Sequence, residues 1–163
     1  MFQFTDGKAN YIGQIKKDGS ERYRLFAFPV SALVSISPDR RWAVADVPQP
    51  DANVILAIPI RGGSARRVCT WCSISWAPDG KFFYVGLGPN SRTIRGTTLA
   101  MPVPAGETLP KLPSLGLRGP EYAKAVPGTF LLDGWFLSPG LDPHVFAYVK
   151  TTMHRNLYRI HLP

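Results

Sequence analysis

The chain has 163 residues, 45% of them hydrophobic and 18% charged, with a formal net charge of +8. This composition excludes a disordered chain, allows one hydrophobic core, and contains no apolar run of the roughly 18 residues that would span a bilayer. The 19 lysines and arginines are scattered from Lys8 to Arg159 without forming a basic helix. We therefore expect no specific nucleic-acid binding and no membrane insertion by this segment.

Short strands separated by turns are predicted along the whole chain. The first strands alternate polar and apolar residues on both sides of a Lys17-Asp18-Gly19-Ser20 turn, which is typical of a β-hairpin. Residues 110–128 are rich in proline and glycine and interrupt the strands, with one helical turn predicted over residues 121–125 after Pro120. The predicted units are a partial one over residues 1–29 and others over residues 30–72, 73–112 and 129–163.

Three turns repeat one pattern, in which an aspartate lies between two apolar runs. Asp39 and Asp79 are 40 positions apart, and Asp6 lies 33 positions before Asp39. Proline presets φ at the first turn position, aspartate accepts hydrogen bonds from backbone N–H groups two residues on, and glycine adopts a positive φ. We therefore expect these aspartates to close their own turns rather than to act as catalytic acids. The predicted turn residues are Asp6, Gly7, Pro38, Asp39, Pro78, Asp79 and Gly80.

The length of the repeat predicts the fold class. A unit of about 40 residues that contains several short strands is typical of a propeller blade. We predict an all-β chain that forms one partial β-propeller segment over residues 1–163, with about three to four four-stranded antiparallel blades. Propellers usually close with about four to eight blades. We therefore expect either further blades upstream or copies of this chain, as a homo-oligomer, to complete the ring.

The turns and their surroundings resemble a known family. The Trp76-Ala77-Pro78-Asp79-Gly80-Lys81 stretch is similar to the Ser-Pro-Asp-Gly-Lys repeats of TolB-like, WD40-like (PD40) β-propellers. The resemblance extends over nearly the whole chain to the C-terminal propeller of bacterial eukaryotic-like serine/threonine protein kinases, particularly acidobacterial ones. Besides the repeat turns, it is carried by the Gly62-Gly63 turn, the Cys69-x-x-Cys72 step, Leu109-Pro110-Lys111-Leu112-Pro113, Val126-Pro127-Gly128 and Arg155-Asn156-Leu157-Tyr158-Arg159-Ile160.

The resemblance implies a non-catalytic sensory or binding module that recognises a protein, peptide or small ligand. The chain has no Gly-x-Gly-x-x-Gly loop, His-Arg-Asp or Asp-Phe-Gly motif, so we assign it no kinase activity. The alternatives are an accessory propeller of a peptidase or other hydrolase and a self-assembling structural blade array. As part of a membrane-anchored kinase the segment would be periplasmic or extracytoplasmic. Its N-terminus does not resemble a signal peptide, so a chain complete as written would be cytoplasmic.

The Cys69-Thr70-Trp71-Cys72 motif has three interpretations. The strands predicted around it do not provide the helix N-terminus that activates a redox Cys-x-x-Cys pair. A structural zinc site needs about four ligands, and none of His144, His154 and His161 is spaced as a pair beside the cysteines. A structural pair, as buried thiols or a local disulfide, is favoured over metal binding and redox activity, and we expect no metal and no cofactor.

Binding residues concentrate on loops that a rigid scaffold holds, here residues 48–53 and 87–95. Neither a hydrolase elbow nor a phosphate-binding loop is present in the sequence. The aromatic residues, among them Trp42, Trp71, Trp76 and Trp135, are expected to fill the spaces between blades rather than to stack on a ligand. The candidate ligand-binding residues are Asp51, Asn53, Asn90, Ser91 and Arg92.

Overall fold

The computed structural model describes residues 1–88, 96–135, 137–140, 142 and 144–148. These residues form short strands and one 3₁₀ helix, Pro120–Ala125, at the position where a helical turn was predicted after Pro120. The prediction of an all-β chain is confirmed for this part of the protein. The strands are β1 Phe2–Thr5, β2 Asn10–Gln14, β3 Tyr23–Arg24, β4 Ala32–Ile36, β5 Trp42–Val47, β6 Val54–Pro59, β7 Arg66–Thr70, β8 Cys72–Trp76, β9 Phe82–Leu87, β10 Thr97–Pro102, β11 Phe130–Asp133, β12 Leu137–Pro139 and β13 Phe146–Tyr148.

The strands pair into four antiparallel sheets of two to four strands. Sheet 1 contains β1–β3, sheet 2 contains β4–β7, sheet 3 contains β8–β11 and sheet 4 contains β12 and β13. Within each sheet, strands that follow one another in sequence are neighbours, so every sheet is a simple meander. Sheets 2 and 3 therefore share one topology, as expected if the chain repeats a structural unit.

The Asp39 and Asp79 turns occupy equivalent positions in sheets 2 and 3. Each joins the first strand of its sheet to the second, and in each the aspartate Oδ1 accepts a hydrogen bond of 3.0 Å from the backbone N–H two residues on, that of Arg41 or Lys81. The residue after the aspartate has a positive φ in both turns, 58° at Arg40 and 73° at Gly80. These aspartates act as predicted, because they satisfy the backbone donors of their own turns.

The Asp6 turn in sheet 1 is a shorter variant. Thr5 pairs with Asn10, and Asp6 Oδ1 accepts hydrogen bonds of 3.0 Å from the backbone N–H groups of both Lys8 and Ala9. Gly7 has a φ of 90°, which glycine adopts without a steric penalty. The three turns thus share an aspartate that binds the backbone, although only the Asp39 and Asp79 turns have the same length.

Sheets 1, 2 and 3 are stacked face to face in sequence order. Ile12 of sheet 1 packs with Ala43, Ala45 and Ile58 on one face of sheet 2. The other face of sheet 2, with Val44 and Ala57, packs against sheet 3. Sheet 3 is apolar on its far side as well, where Phe130 stacks on His144 with ring centroids 5.2 Å apart. Sheets 2 and 3 are therefore buried on both faces, and most of the core lies between them.

The first strands of successive sheets lie next to one another. β1 contacts β4, β4 contacts β8, and β8 contacts β12. The side chain of Gln3 illustrates this arrangement, since its Oε1 accepts a hydrogen bond of 3.1 Å from the backbone N–H of Leu33 in the neighbouring sheet. The sheets therefore converge along the edge formed by their first strands.

A long connection, residues 103–129, separates the third and fourth strands of sheet 3. Phe130–Asp133, which the sequence placed in the last predicted unit, pairs with β10 and completes sheet 3. The connection crosses the outer edge of sheet 2, where the Leu117 N–H donates a 2.7 Å hydrogen bond to the Val68 carbonyl. It also buries Leu109 and Leu117 in the core between sheets 2 and 3. This segment therefore covers an otherwise open strand edge.

Candidate functional site

The two ends of the stacked sheets differ in what they carry. The Asp39 and Asp79 turns lie at one end, which we call the turn end. Because antiparallel strands reverse direction, residues 48–53 and Trp71 lie at the opposite end, which we call the cleft end. The loops from which binding residues were predicted therefore start from the cleft end, away from the repeated aspartate turns.

At the cleft end a cavity of about 200 Å³ opens between sheets 2 and 3. Sheet 2 and its loop supply a carboxylate, an amide and an aliphatic side chain, while the connection to sheet 3 and the segment after β11 supply two tryptophans. We call this cavity the intersheet cleft. It is lined by Asp46, Asn53, Ile55, Trp71, Cys72, Ser73 and Trp135.

Asp46 forms the polar wall of the intersheet cleft. It pairs with Ile55 across β5 and β6, so its side chain lies on the sheet 2 face that is turned toward sheet 3. Asn53 Nδ2 donates hydrogen bonds of 3.2 Å to Asp46 Oδ2 and to Ser31 Oγ. The other carboxylate oxygen, Asp46 Oδ1, is buried and accepts no hydrogen bond from any residue that the structure describes. A buried oxygen of this kind is costly unless a donor reaches it.

Trp71 lies at the rim of the same cleft and has an unusual backbone conformation. It is the residue between β7 and β8, its φ is 55°, and its side chain is 70% exposed. Cys69 and Cys72, which flank it, are joined by a disulfide with their Cα atoms 6.2 Å apart. A positive φ is uncommon for a large residue and persists only where the surroundings hold it. Here the short disulfide loop holds a large aromatic side chain in contact with solvent.

Trp135 forms the second aromatic wall, and three glycines make room for it. A Cβ atom at Gly86 or Gly88 would overlap the backbone carbonyl or the ring of Trp135, and one at Gly96 would lie 2.7 Å from its Cβ. Two hydroxyls of sheet 3 fix the segment: Ser73 Oγ donates a 2.6 Å hydrogen bond to the Trp135 carbonyl, and Thr98 Oγ1 donates one of 2.8 Å to the Gly134 carbonyl. The backbone at residues 134 and 135 therefore lies directly on the sheet.

The structure places only some of the predicted site residues at the intersheet cleft. Asn53 lines the intersheet cleft, while Asp51 is exposed on the same loop and does not line it. Asn90, Ser91 and Arg92 lie outside the described residues. Trp76 is buried in the core as expected, with Nε1 donating a 3.0 Å hydrogen bond to the Thr108 carbonyl. The expectation that the tryptophans fill spaces between sheets is wrong for Trp71, because the turn projects its side chain into solvent.

Sequence reasoning missed Asp46, Ser73 and the role of Trp135. A signal for Asp46 was present, since an aspartate within the apolar run Trp42-Ala43-Val44-Ala45-Asp46-Val47 needs a partner once that strand is buried. Ser73 and Trp135 gave no such signal, because their contact joins residues 62 positions apart.

A second cavity, of about 300 Å³, lies at the end of β10 beside the long connection. Prolines and valines form most of its wall, and the amine of Lys111 is its one charged group. Although this cavity is larger, it lacks converging polar groups, which are what orient a ligand in a binding site. The intersheet cleft is therefore the better candidate.

The three cysteine interpretations can be compared with the geometry. Cys69 is 1% exposed, and its sulfur is held in the disulfide. Among the described residues, no group of three or more His, Cys, Asp or Glu side chains is arranged to hold a metal ion. The disulfide joins the last strand of sheet 2 to the first strand of sheet 3, so it fixes the rim of the cleft.

Comparisons of the chain with models of protein families, with curated proteins and with solved structures find no match. In the part of the chain that the structure describes, no helix has the length and apolar character needed to cross a membrane. What can be inferred about function therefore comes from the geometry of the chain itself.

Proposed function

We propose that this chain is a segment of a β-propeller that acts as a non-catalytic binding or sensory module. Two observations support the propeller: sheets 2 and 3 are four-stranded meanders with equivalent aspartate turns, and the first strands of all four sheets adjoin one another. Neighbouring first strands are what a ring of blades requires around its axis. By the resemblance noted above, such a segment would form the C-terminal part of a receptor-type serine/threonine kinase.

The observation that carries the binding function is the exposed Trp71 at the rim of the intersheet cleft. Burying a tryptophan on binding contributes a large apolar area, and tryptophan is enriched among residues that dominate binding energy. Trp71 is 70% exposed and is held by a disulfide turn on a rigid sheet stack. Its preorganised position lowers the entropy lost when a partner binds. The partner class is a protein, a peptide or a small ligand.

An array of immobilised random-sequence peptides, probed with the labelled chain, tests this proposal. The test variant is Trp71→Asn, because asparagine tolerates a positive φ and should leave the turn intact. The matched control is Leu115→Asn, which also removes an exposed apolar side chain, 60% exposed, from the long connection. We expect Trp71→Asn to abolish binding to the captured peptides and Leu115→Asn to retain it. Binding that survives Trp71→Asn, or that both variants lose, would exclude the intersheet cleft as the binding surface.

A second candidate function, a self-assembling array of blades, is favoured by the outer face of sheet 1. Phe2, Phe4 and Tyr11 form an aromatic row on that face, with ring centroids 5.7 and 5.9 Å apart. The Arg24 guanidinium lies 3.5 Å from the Tyr11 ring centroid. Sheets 2 and 3 bury both faces, so another blade would complete the packing of sheet 1.

The mass of the chain in solution, measured by light scattering, tests the array. A dimer or larger species that Phe4→Glu converts to a monomer would support it. Leu131→Glu, which adds the same charge at a position 51% exposed on sheet 3, is the control. A wild-type chain that stays monomeric over the full concentration range would remove this second candidate.

A further inference from the structure

The intersheet cleft combines three features that no single structural role explains. A buried carboxylate oxygen, Asp46 Oδ1, has no donor among the described residues. A strained turn exposes Trp71, and Trp135 forms a second aromatic wall. We propose that this cleft binds an organic cation, an ammonium or guanidinium group carried on an apolar stem. This inference rests on the proposed binding function and specifies the chemistry of the ligand.

The hydrogen-bonding capacity of the lining determines which ligand fits. The amide of Asn53 has two N–H donors, and it donates to Asp46 and to Ser31. The hydroxyl of Ser73 has one, which it donates to the Trp135 carbonyl. Asp46 Oδ1 is therefore the side-chain group of this polar set that still needs a partner, and it can only accept. A ligand that meets this need must bring a donor and must displace the side chains that bury this oxygen, and a charged donor forms the stronger bond with a carboxylate.

The aromatic walls favour a cation over a neutral donor. A cation within about 6 Å of an indole face is attracted by the ring quadrupole, and tryptophan binds cations best among the aromatic residues. Trp71 and Trp135 line the same cavity as Asp46, which has a volume of about 200 Å³ and is lined mainly by apolar groups. That space matches a single amine or guanidine head with a short stem better than a large ligand.

Long-range charge does not explain such binding. The chain carries a formal net charge of +8, so its field as a whole repels cations. A cation that binds would therefore report on the local arrangement of Asp46 and the two indoles. The same chemistry is available from a lysine or arginine side chain of a peptide and from a free small amine, and the experiment separates these two sources.

Titration of the ¹⁵N-labelled chain, followed through its indole N–H signals, tests the inference. The free cations are butylammonium and butylguanidinium, and the peptides are acetyl-Gly-Lys-Gly-amide and the same peptide with norleucine in place of lysine. We expect saturable shifts of the Trp71 and Trp135 signals with the cations and the lysine peptide, and at least about ten-fold weaker binding of the norleucine peptide. A lysine peptide that binds tighter than butylammonium would indicate a peptide ligand, and the reverse order a free amine.

Two variants with matched controls complete the test. Asp46→Asn keeps the size of the side chain and removes its charge, while Asp51→Asn makes the same change on the neighbouring loop outside the cleft. Trp71→Asn removes the exposed indole, and Trp71→Tyr keeps an aromatic ring. We expect Asp46→Asn and Trp71→Asn to weaken cation binding about ten-fold or more, Asp51→Asn to leave it unchanged and Trp71→Tyr to restore most of it. Circular dichroism shows whether each variant is folded.

Three results would overturn the inference. Equal binding of the lysine and norleucine peptides would show that the cleft does not distinguish a charged side chain from a neutral one. This result is expected if a water molecule is the hydrogen-bond partner of Asp46 Oδ1. Unchanged affinity in Asp46→Asn would exclude the carboxylate. The absence of saturable binding by all three cationic probes would exclude the ligand class. In the first and third cases, array peptides that bind through Trp71 would leave the proposed binding function standing.

Discussion

Thr108 Oγ1 donates a hydrogen bond to Asp39 Oδ2 across 69 positions of sequence. This contact ties the aspartate turn of sheet 2 to the long connection that belongs to sheet 3. Asp39 also accepts a 2.6 Å hydrogen bond from Ser37 Oγ and one from the Arg41 backbone N–H. The equivalent Asp79 accepts its backbone hydrogen bond from Lys81 and forms an ion pair of 3.2 Å with the Lys81 amine. Of the two equivalent turns, the Asp39 turn thus also takes part in a tertiary contact.

Replacing Thr108 with valine removes this contact while keeping the shape of the side chain. We expect Thr108→Val to lower the free energy of unfolding by about 1–3 kcal/mol, because a hydrogen bond to a charged group is lost at a residue that is 6% exposed. Urea denaturation followed by fluorescence measures the change. Thr129→Val is the control, since Thr129 Oγ1 is buried and has no partner among the described residues. A Thr108→Val loss no larger than that of Thr129→Val would mean that the Asp39 contact contributes little.

The Asp39 carboxyl should contribute to the change of folding stability with pH. Burial raises the pKa of Asp39, but hydrogen bonds from Ser37, Thr108 and Arg41 outweigh burial and hold the pKa below the ordinary 3.8. A carboxyl whose pKa is lower in the folded state stabilises the fold above its unfolded pKa, and this stabilisation is lost as the pH falls through the folded value. We expect the melting temperature of Asp39→Asn to fall less than that of the wild type between pH 5 and acid conditions near about pH 2.

The comparison between Asp39→Asn and the wild type isolates one carboxyl. Asp6, Asp18 and Asp79 also have lowered pKa values, chiefly through hydrogen bonds to nearby backbone and side-chain donors, but they are the same in both proteins. Their contributions therefore cancel in the difference. Parallel melting curves of the two proteins over this pH range would show that Asp39 is not stabilised as a carboxylate.

How far the sequence predicted the structure depends on the range of the interactions concerned. The aspartate turns were predictable because Asp39 and Asp79 bind donors two residues away, so the chemistry is contained in a few neighbouring letters. The position of the fourth strand of sheet 3 was not predictable, because Phe130–Asp133 returns to β10 only after the long connection. The apolar pattern of this strand alone suits either neighbouring unit. The contact of Thr108 with the Asp39 turn also comes from distant sequence.

The candidate site was predictable only in its location. The loop with Asn53 was expected to carry binding residues, and the cleft lies beside it. The aromatic pattern suggested core packing for Trp71, since nothing in the residues around it reveals that its backbone φ is positive. Gly88 was placed in a candidate binding loop, residues 87–95, yet Gly86 and Gly88 provide the surface on which Trp135 lies. Long-range contacts of this kind leave no periodic signal in a sequence.

The equivalent turns differ in the residue with positive φ, which is Arg40 in sheet 2 and Gly80 in sheet 3. A Cβ atom at Gly80 would meet nothing within 4 Å, so the constraint there is on the backbone alone. We expect Gly80→Ala to destabilise the chain by about 1 kcal/mol, the usual cost of a left-handed conformation for a residue with a Cβ atom. Arg40→Gly should be neutral or stabilising by less than about 1 kcal/mol, because relief of that cost is offset by the greater freedom of glycine in the unfolded state. Thermal denaturation of both variants measures these changes. An Arg40→Gly variant that is less stable than Gly80→Ala would contradict this account.

A different constraint acts on Gly86, whose φ is not positive. A Cβ atom there would overlap the Trp135 carbonyl and the hydroxyl of Ser73, the two partners of the bond that holds the segment on sheet 3. We expect Gly86→Ala to break this hydrogen bond and to destabilise the chain by about 1–3 kcal/mol, as overpacking usually does. The Trp135 indole signal should shift in the ¹⁵N spectrum, whereas Gly80→Ala should leave it in place. If Gly86→Ala kept the wild-type Trp135 signal and stability, Trp135 would not be packed on this strand, and the aromatic wall assigned to the intersheet cleft would be lost with it.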